Sequence, residues 1–151
     1  MNAFKQTLLV AAGIGLLSAT GIALAQETPA TAPAGIKMVE APAVQALQGK
    51  GAVLIDTRKA SEFSDATIKG AISVPYDPEK SAKDAKFDPA QDKFDMGKLA
   101  DKNKDYVLFC NSGTCWKSYK AAVVMAKAGY KNVHWYRNGF PDWKARKLPT
   151  E

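Results

Sequence analysis

The stretch from Tyr106 to Gly129 constrains this chain more than any other. Tyr106-Val-Leu-Phe109 is a short apolar run that follows charged residues and stops at Cys110, which reads as a buried strand. From Lys117 onward, Tyr119, Ala122, Val123 and Ala126 recur at three- and four-residue spacing, which reads as a helix stopped by Gly129. Between them lies Cys110-Asn-Ser-Gly-Thr-Cys-Trp116, rich in small residues and opening on a thiol. A thiol at a strand's end, with a helix beginning beyond the turn, faces several backbone N–H groups. Those groups and the helix dipole favour the thiolate and any anion beside it. The pattern is suited to sulfur chemistry.

The chain ahead of that stretch divides in three. Residues 1–25 have a polar start with Lys5, an uncharged apolar run from Leu8 to Leu24, and the ending Ala23-Leu24-Ala25. This reads as a secretory signal with a small-residue cleavage site. The run is nearly long enough to span a membrane, but Gly13, Gly15 and Gly21 interrupt it. Export to the periplasm or secretion is expected, with no stable membrane insertion after processing. Residues 26–37 are rich in Pro, Ala and Thr and are expected to form a flexible leader. The folded domain should then cover residues 38–148.

Within that domain, Ala43, Val44 and Leu47 make one face of a short helix ending at Gly49. Residues 52–56 read as a second buried strand, Ser61-Glu62-Phe63 as part of a helix, and residues 71–74 as a third strand closed by Pro75. Residues 76–105 read as a long surface excursion with a short helix near Met96–Ala100. Residues 133–136 are a last strand, Asn138-Gly139 turns it, and Pro141 starts a helix carrying Trp143. Strands that alternate with helices and are apolar throughout argue a single α/β domain with a mostly parallel sheet flanked by helices.

Charge is unevenly placed along the sequence. Eight lysines and arginines follow Cys110 against only Asp142 and Glu151, which accounts for the whole formal net charge of +6. A small anionic substrate would be attracted to such a surface. No nucleic-acid motif accompanies the charge, and no nucleic-acid partner is expected.

Five segments in order resemble the rhodanese family of sulfurtransferases. Leu54-Ile-Asp56-Thr-Arg58, with Glu62-Phe63 after it, is similar to the family's Asp-x-Arg and Glu-Tyr/Phe signature. Ile68-Lys-Gly70-Ala-Ile-Ser-Val-Pro75 resembles its Ile-Pro-Gly-Ala-x-x-x-Pro segment. Cys110 followed by Ser112-Gly113 resembles its nucleophile and anion cradle. Gly129-Tyr-Lys-Asn-Val133 and Asn138-Gly-Phe-Pro-Asp-Trp143 resemble its closing motifs. The chain departs from the pattern at the loop. The family's usual Cys-x-Ser-Gly-x-Arg-Ser lacks its Arg here, and Cys115 and Trp116 occupy an expanded loop similar to a variant of small secreted members. Related oxyanion-handling loops clamp their substrate with a forked Arg. Trp116 stands there instead, and Lys117 is a point charge, so phosphatase chemistry is not expected.

The resemblance implies that Cys110 is the nucleophile. It would take a sulfane sulfur from thiosulfate or another small anionic donor and pass it to a thiol or cyanide, through a persulfide. Backbone N–H groups from Asn111 through Lys117, including Gly113 and Trp116, would form the substrate cradle, with the hydroxyls of Ser112, Thr114 and Ser118. No metal or organic cofactor is needed. Asp56, Arg58 and Glu62 would be a structural ion and hydrogen-bond set, with Arg58 near the cleft.

Cys115 keeps two readings: a structural disulfide, or a resolving thiol that attacks a Cys110 persulfide. Bonding is expected to require local rearrangement of the loop. The lone His134 is expected to be structural, and a zinc site lacks a fourth ligand. The alternative to a turning-over sulfurtransferase is a sulfur carrier or thiol-redox accessory that uses the Cys110/Cys115 pair and serves a periplasmic protein partner.

Overall fold

The computed structural model describes residues 25–151. Residues 1–24, which hold nearly all of the expected signal segment, lie outside them. Among the described residues no helix is long and apolar enough to cross a membrane.

The strands of the main sheet are β1 (Ile36–Met38), β2 (Val53–Asp56), β3 (Ile72–Ser73), β6 (Asp105–Phe109) and β7 (Asn132–Tyr136), in the order β1-β7-β6-β2-β3. The inner strands β2 and β6 form where apolar residues are nearly continuous, because the sheet is covered on both faces. Every pairing in this sheet is parallel, with Ile55 opposite Leu108 and Leu108 opposite Trp135. β6 is therefore central. Its residues alternate in direction. Tyr106 and Leu108 join a core under helix α3 (Trp116–Lys127), with Ala121, Met125 and Trp135. Val107 and Phe109 join a second core beneath α1 (Ala41–Gly49) and α4 (Gly139–Ala145), with Val44, Tyr136 and Trp143. Leu108 is fully buried, which favours the fold by about 1.5–3 kcal/mol.

The parallel sheet with flanking helices is the architecture expected. Two local expectations are corrected and one is extended. First, residues 26–37 are not a free leader. Ile36–Met38 forms an edge strand on β7, and Thr28 is buried. Second, the helix read from Tyr119, Ala122, Val123 and Ala126 is present as α3, and it buries more than that stripe. Trp116, Lys117, Ser118, Lys120, Ala121, Ala122 and Met125 are the buried set, while Tyr119, Val123 and Ala126 are partly exposed. The reason is a second cover: residues 79–92 lie over the helix and take up the Lys117 and Lys120 ammonium groups. Third, Met96–Lys98 is one 3₁₀ turn, started by Asp95 accepting the Gly97 N–H.

The excursion is also more organised than an open loop. β4 (Tyr76–Asp77) pairs antiparallel with β5 (Lys93–Phe94), and a 3₁₀ turn spans Glu79–Ala82. α2 (Ala60–Asp65) follows β2, and its Glu62 shares a cleft with Glu79 of the excursion. Asp92 ties the excursion together by accepting from Tyr76 Oη, Ser81 Oγ and the Asp88 N–H. Burial would push its carboxyl up, but those hydrogen bonds and the Lys120 charge outweigh burial and hold it below the usual aspartate value. A carboxyl lowered by folding contributes stability above its unfolded value near 3.8, and that contribution is lost as pH falls through the lower folded value. Residues 79–92 should therefore lose amide protection at about pH 3 relative to pH 6, after correction for intrinsic exchange. Equal protection at both pH values would show that Asp92 is not the tie.

Candidate active site

Cys110 directly follows the last residue of the central strand, at the carboxyl end of the sheet, where ligands of open α/β folds bind. Its carbonyl accepts the Phe140 N–H at 2.8 Å. The close approach needs Gly139, whose φ of +64° lies in the left-handed region and whose added Cβ would fall 2.2 Å from Cys110 O. The turn after β7 thus grips the base of the loop.

Cys110 and Cys115 are joined as a disulfide, with their Cα atoms 6.2 Å apart. Cys115 sits at the N-cap of α3, and the turn folds back so that this separation falls in the range a disulfide spans. The Cys115 N–H donates to Ser112 O, and the Thr114 N–H donates to Ser112 Oγ. Two N–H groups expected to cradle an anion are therefore turned into the loop in this state. Both cysteines are buried, and attack on either sulfur must come through the cleft that they help line.

That cleft, of about 190 Å³, brings together Arg58, Glu62, Cys110, Asn111, Ser112, Thr114, Cys115 and Lys117 from the expected set. It adds Glu79 and Ala82 from the excursion, which the sequence reading missed. The Lys117 ammonium pairs with Glu79 across it, with the lysine buried and the glutamate largely exposed. A lysine on the buried side of a helix needs a counter-charge. Lys117, one turn before the buried Ala121, was the available signal for a carboxylate here.

Four expected site residues do not line the cleft. Gly113 turns away, and its carbonyl accepts both the N–H and the hydroxyl of Thr28. The Trp116 indole donates to Gln26 O, and Ser118 Oγ accepts from the Trp135 indole in the core. Asp56 is fully buried beneath Arg58, which it holds by its Nε and Nη2 atoms while Nη2 also donates to Ala66 O. Asp56 and Arg58 form the expected ion pair. Glu62 does not join it but accepts from the Asn111 amide at 2.8 Å.

The positive charge that crowds Cys110 in sequence does not crowd it in space. Of the eight basic residues after Cys110, only Lys117 lines the cysteine cleft. Lys120 donates to Lys86 O, Arg137 clamps Thr28, and Arg146 pairs with Asp142. The cleft itself is balanced, with Arg58 and Lys117 against Glu62 and Glu79. His134 stands apart from it on β7, with Nε2 2.8 Å from an Asp105 carboxylate oxygen.

Comparison with known proteins matches residues 40–146 to the model of the rhodanese-like domain. The Saccharomyces cerevisiae thiosulfate:glutathione sulfurtransferase is 33% identical over 93 residues, which cover 60% of this chain and 63% of that protein. A thiosulfate sulfurtransferase from Pseudomonas aeruginosa is 25% identical with a TM-score of 0.55, over 77% of this chain and 20% of that one. A rhodanese-like domain from Anabaena sp. superposes with a TM-score of 0.57 at 20% identity, over 76% of this chain and 77% of that one.

Proposed function

The chain belongs to the rhodanese-like domain family, and on that premise we propose that it moves sulfane sulfur through a persulfide on Cys110. The observation that supports this most is the seat of Cys110, at the carboxyl end of the central strand and on the wall of a cleft that also holds Arg58, Asn111 and Lys117. Once the disulfide is reduced, the Cys110 thiolate attacks the outer sulfur of thiosulfate. Sulfite leaves with the electron pair of the broken S–S bond. A thiolate or cyanide then attacks the outer sulfur of the persulfide and returns the Cys110 thiolate. Glutathione, named for the yeast relative, is the first thiol to try.

The bonded pair supports a second outcome at the same site. Cys115 thiolate attacks Cys110 Sγ of the persulfide and expels hydrosulfide. The disulfide forms, and one sulfane sulfur is reduced at the expense of two cysteines. A thiol reductant must then reopen the bond. We assign Cys115 this resolving role.

Intact-mass measurement tests both steps. Protein reduced, desalted and exposed to thiosulfate should gain one sulfur atom on Cys110 and then lose it as the disulfide forms. Cys115→Ser should keep the added sulfur for at least about ten times longer, since its resolving thiolate is gone, and should still hand it to cyanide. No sulfur gain in either protein would reject the persulfide. Equal lifetimes, with no disulfide in the loaded wild type, would reject the resolving role.

A further inference from the structure

A second cleft, of about 450 Å³, adjoins the cysteine cleft and shares Arg58, Glu62 and Asn111 with it. Its size is within the usual range for small-molecule sites. Its remaining walls are Asp65, Ala66, Phe140, Pro141 and Lys144. Phe140 is the floor, and its backbone N–H is the group that binds the Cys110 carbonyl. The Arg58 guanidinium carbon lies 4.3 Å above the Phe140 ring, and Lys144 Nζ lies 5.7 Å from it.

Four charged side chains line this cleft, with Arg58 over the Phe140 ring. Helix α2 supplies two carboxylates, Glu62 and Asp65, and helix α4 supplies the Lys144 ammonium across the apolar floor. Neither the Asp65 carboxylate nor the Lys144 ammonium has a hydrogen-bond or ion-pair partner among the described residues, unlike the cations Lys117 and Lys120. A simple anion would meet two carboxylates as well as the cations. A ligand carrying both an ammonium and a carboxylate, with an apolar stretch between them, would satisfy each side at once.

We propose that this cleft is the acceptor subsite and that it takes a zwitterionic low-mass thiol of the amino-acid or small-peptide kind. The ammonium faces Glu62 and Asp65, the carboxylate faces Lys144, and the thiol enters the cysteine cleft past Asn111. The assignment rests on sulfur transfer by Cys110. In the step it serves, the acceptor thiolate bonds to the outer persulfide sulfur. The bond between that sulfur and Cys110 Sγ breaks, and the electron pair stays on Cys110.

Two measurements test it. With thiosulfate as donor, the acceptors are mercaptoacetate, cysteamine and neutral 2-mercaptoethanol. Lys144→Gln should lower the kcat/KM ratio of mercaptoacetate to mercaptoethanol about threefold, and Asp65→Asn should lower the ratio of cysteamine to mercaptoethanol similarly, as expected for partly exposed ion pairs. Ratios that stay at the wild-type values in both variants would overturn the subsite while leaving sulfur transfer standing. The second measurement needs no turnover: S-methylglutathione, which cannot accept sulfur, is titrated into the full-length protein by NMR. Shifts confined to Ala66, Asn111, Phe140 and Lys144 support the subsite even if no sulfur transfer is found. An unperturbed Phe140 and Lys144 would overturn it.

Discussion

Replacing Cys110 by serine should abolish sulfur transfer, with a fall of about three orders of magnitude or more in rate. A hydroxyl cannot carry the sulfane sulfur, and no other thiol occupies the end of β6. The substitution also opens the disulfide and leaves Cys115 as a lone thiol in the same cleft. A Cys110→Ser/Cys115→Ser double variant therefore belongs beside it, so that sulfur caught by Cys115 is not counted as transfer. Neither protein should unfold. Closing so short a loop stabilises by only about 2 kcal/mol in the chain-entropy account, and the two cores do not depend on the bond. The readout is thiosulfate-dependent transfer to cyanide, with circular dichroism to check the fold. Transfer at the wild-type rate by the double variant would end the Cys110 mechanism.

The second large effect is expected at Gly139. Alanine there would put its Cβ 2.2 Å from Cys110 O and 2.9 Å from Cys110 C, both of them backbone atoms that cannot swing aside. The left-handed φ adds about 1–2 kcal/mol for a residue with a Cβ. Together these should destabilise the protein by about 3 kcal/mol or more, a melting temperature lower by roughly 10 °C. The loop should suffer as well, since relief of the clash moves Cys110 off the Phe140 N–H. Gly49→Ala is the matched control: no atom lies within 4 Å of its added Cβ, so its effect should stay below about 1 kcal/mol. Equal melting temperatures for the two variants would show that the turn is not held as described.

The central strand, its loop and α3 were legible in the sequence because one apolar run, one small-residue turn and one helical repeat follow each other there. Gly139 was legible as a turn residue, but its contact with Cys110 was not, since that closeness arises only when β7 pairs with β6. β1 escaped notice because it is three residues long and exposes two of them, which leaves no alternation to read. Glu79 escaped for another reason. Polar residues in an excursion look solvated, and only the depth of Lys117 reveals that one of them is a counter-charge. The charge count along the chain pointed toward an anion at Cys110, yet folding sent most of those cations elsewhere. Net charge by segment does not say which way a side chain faces.

The contact between Thr28 and the loop also ties the first described residues to the site. Gly113 O takes both hydrogen-bond donors of Thr28, and Arg137 holds Thr28 from the other side. Gln26 O meets the Trp116 indole, Ala32 packs on the core under α3, and β1 joins the sheet from Ile36. Gly113 lies between the two bonded cysteines, so the short loop that carries the disulfide also seats residues 26–28, and the start of the described chain is a part of the site's frame.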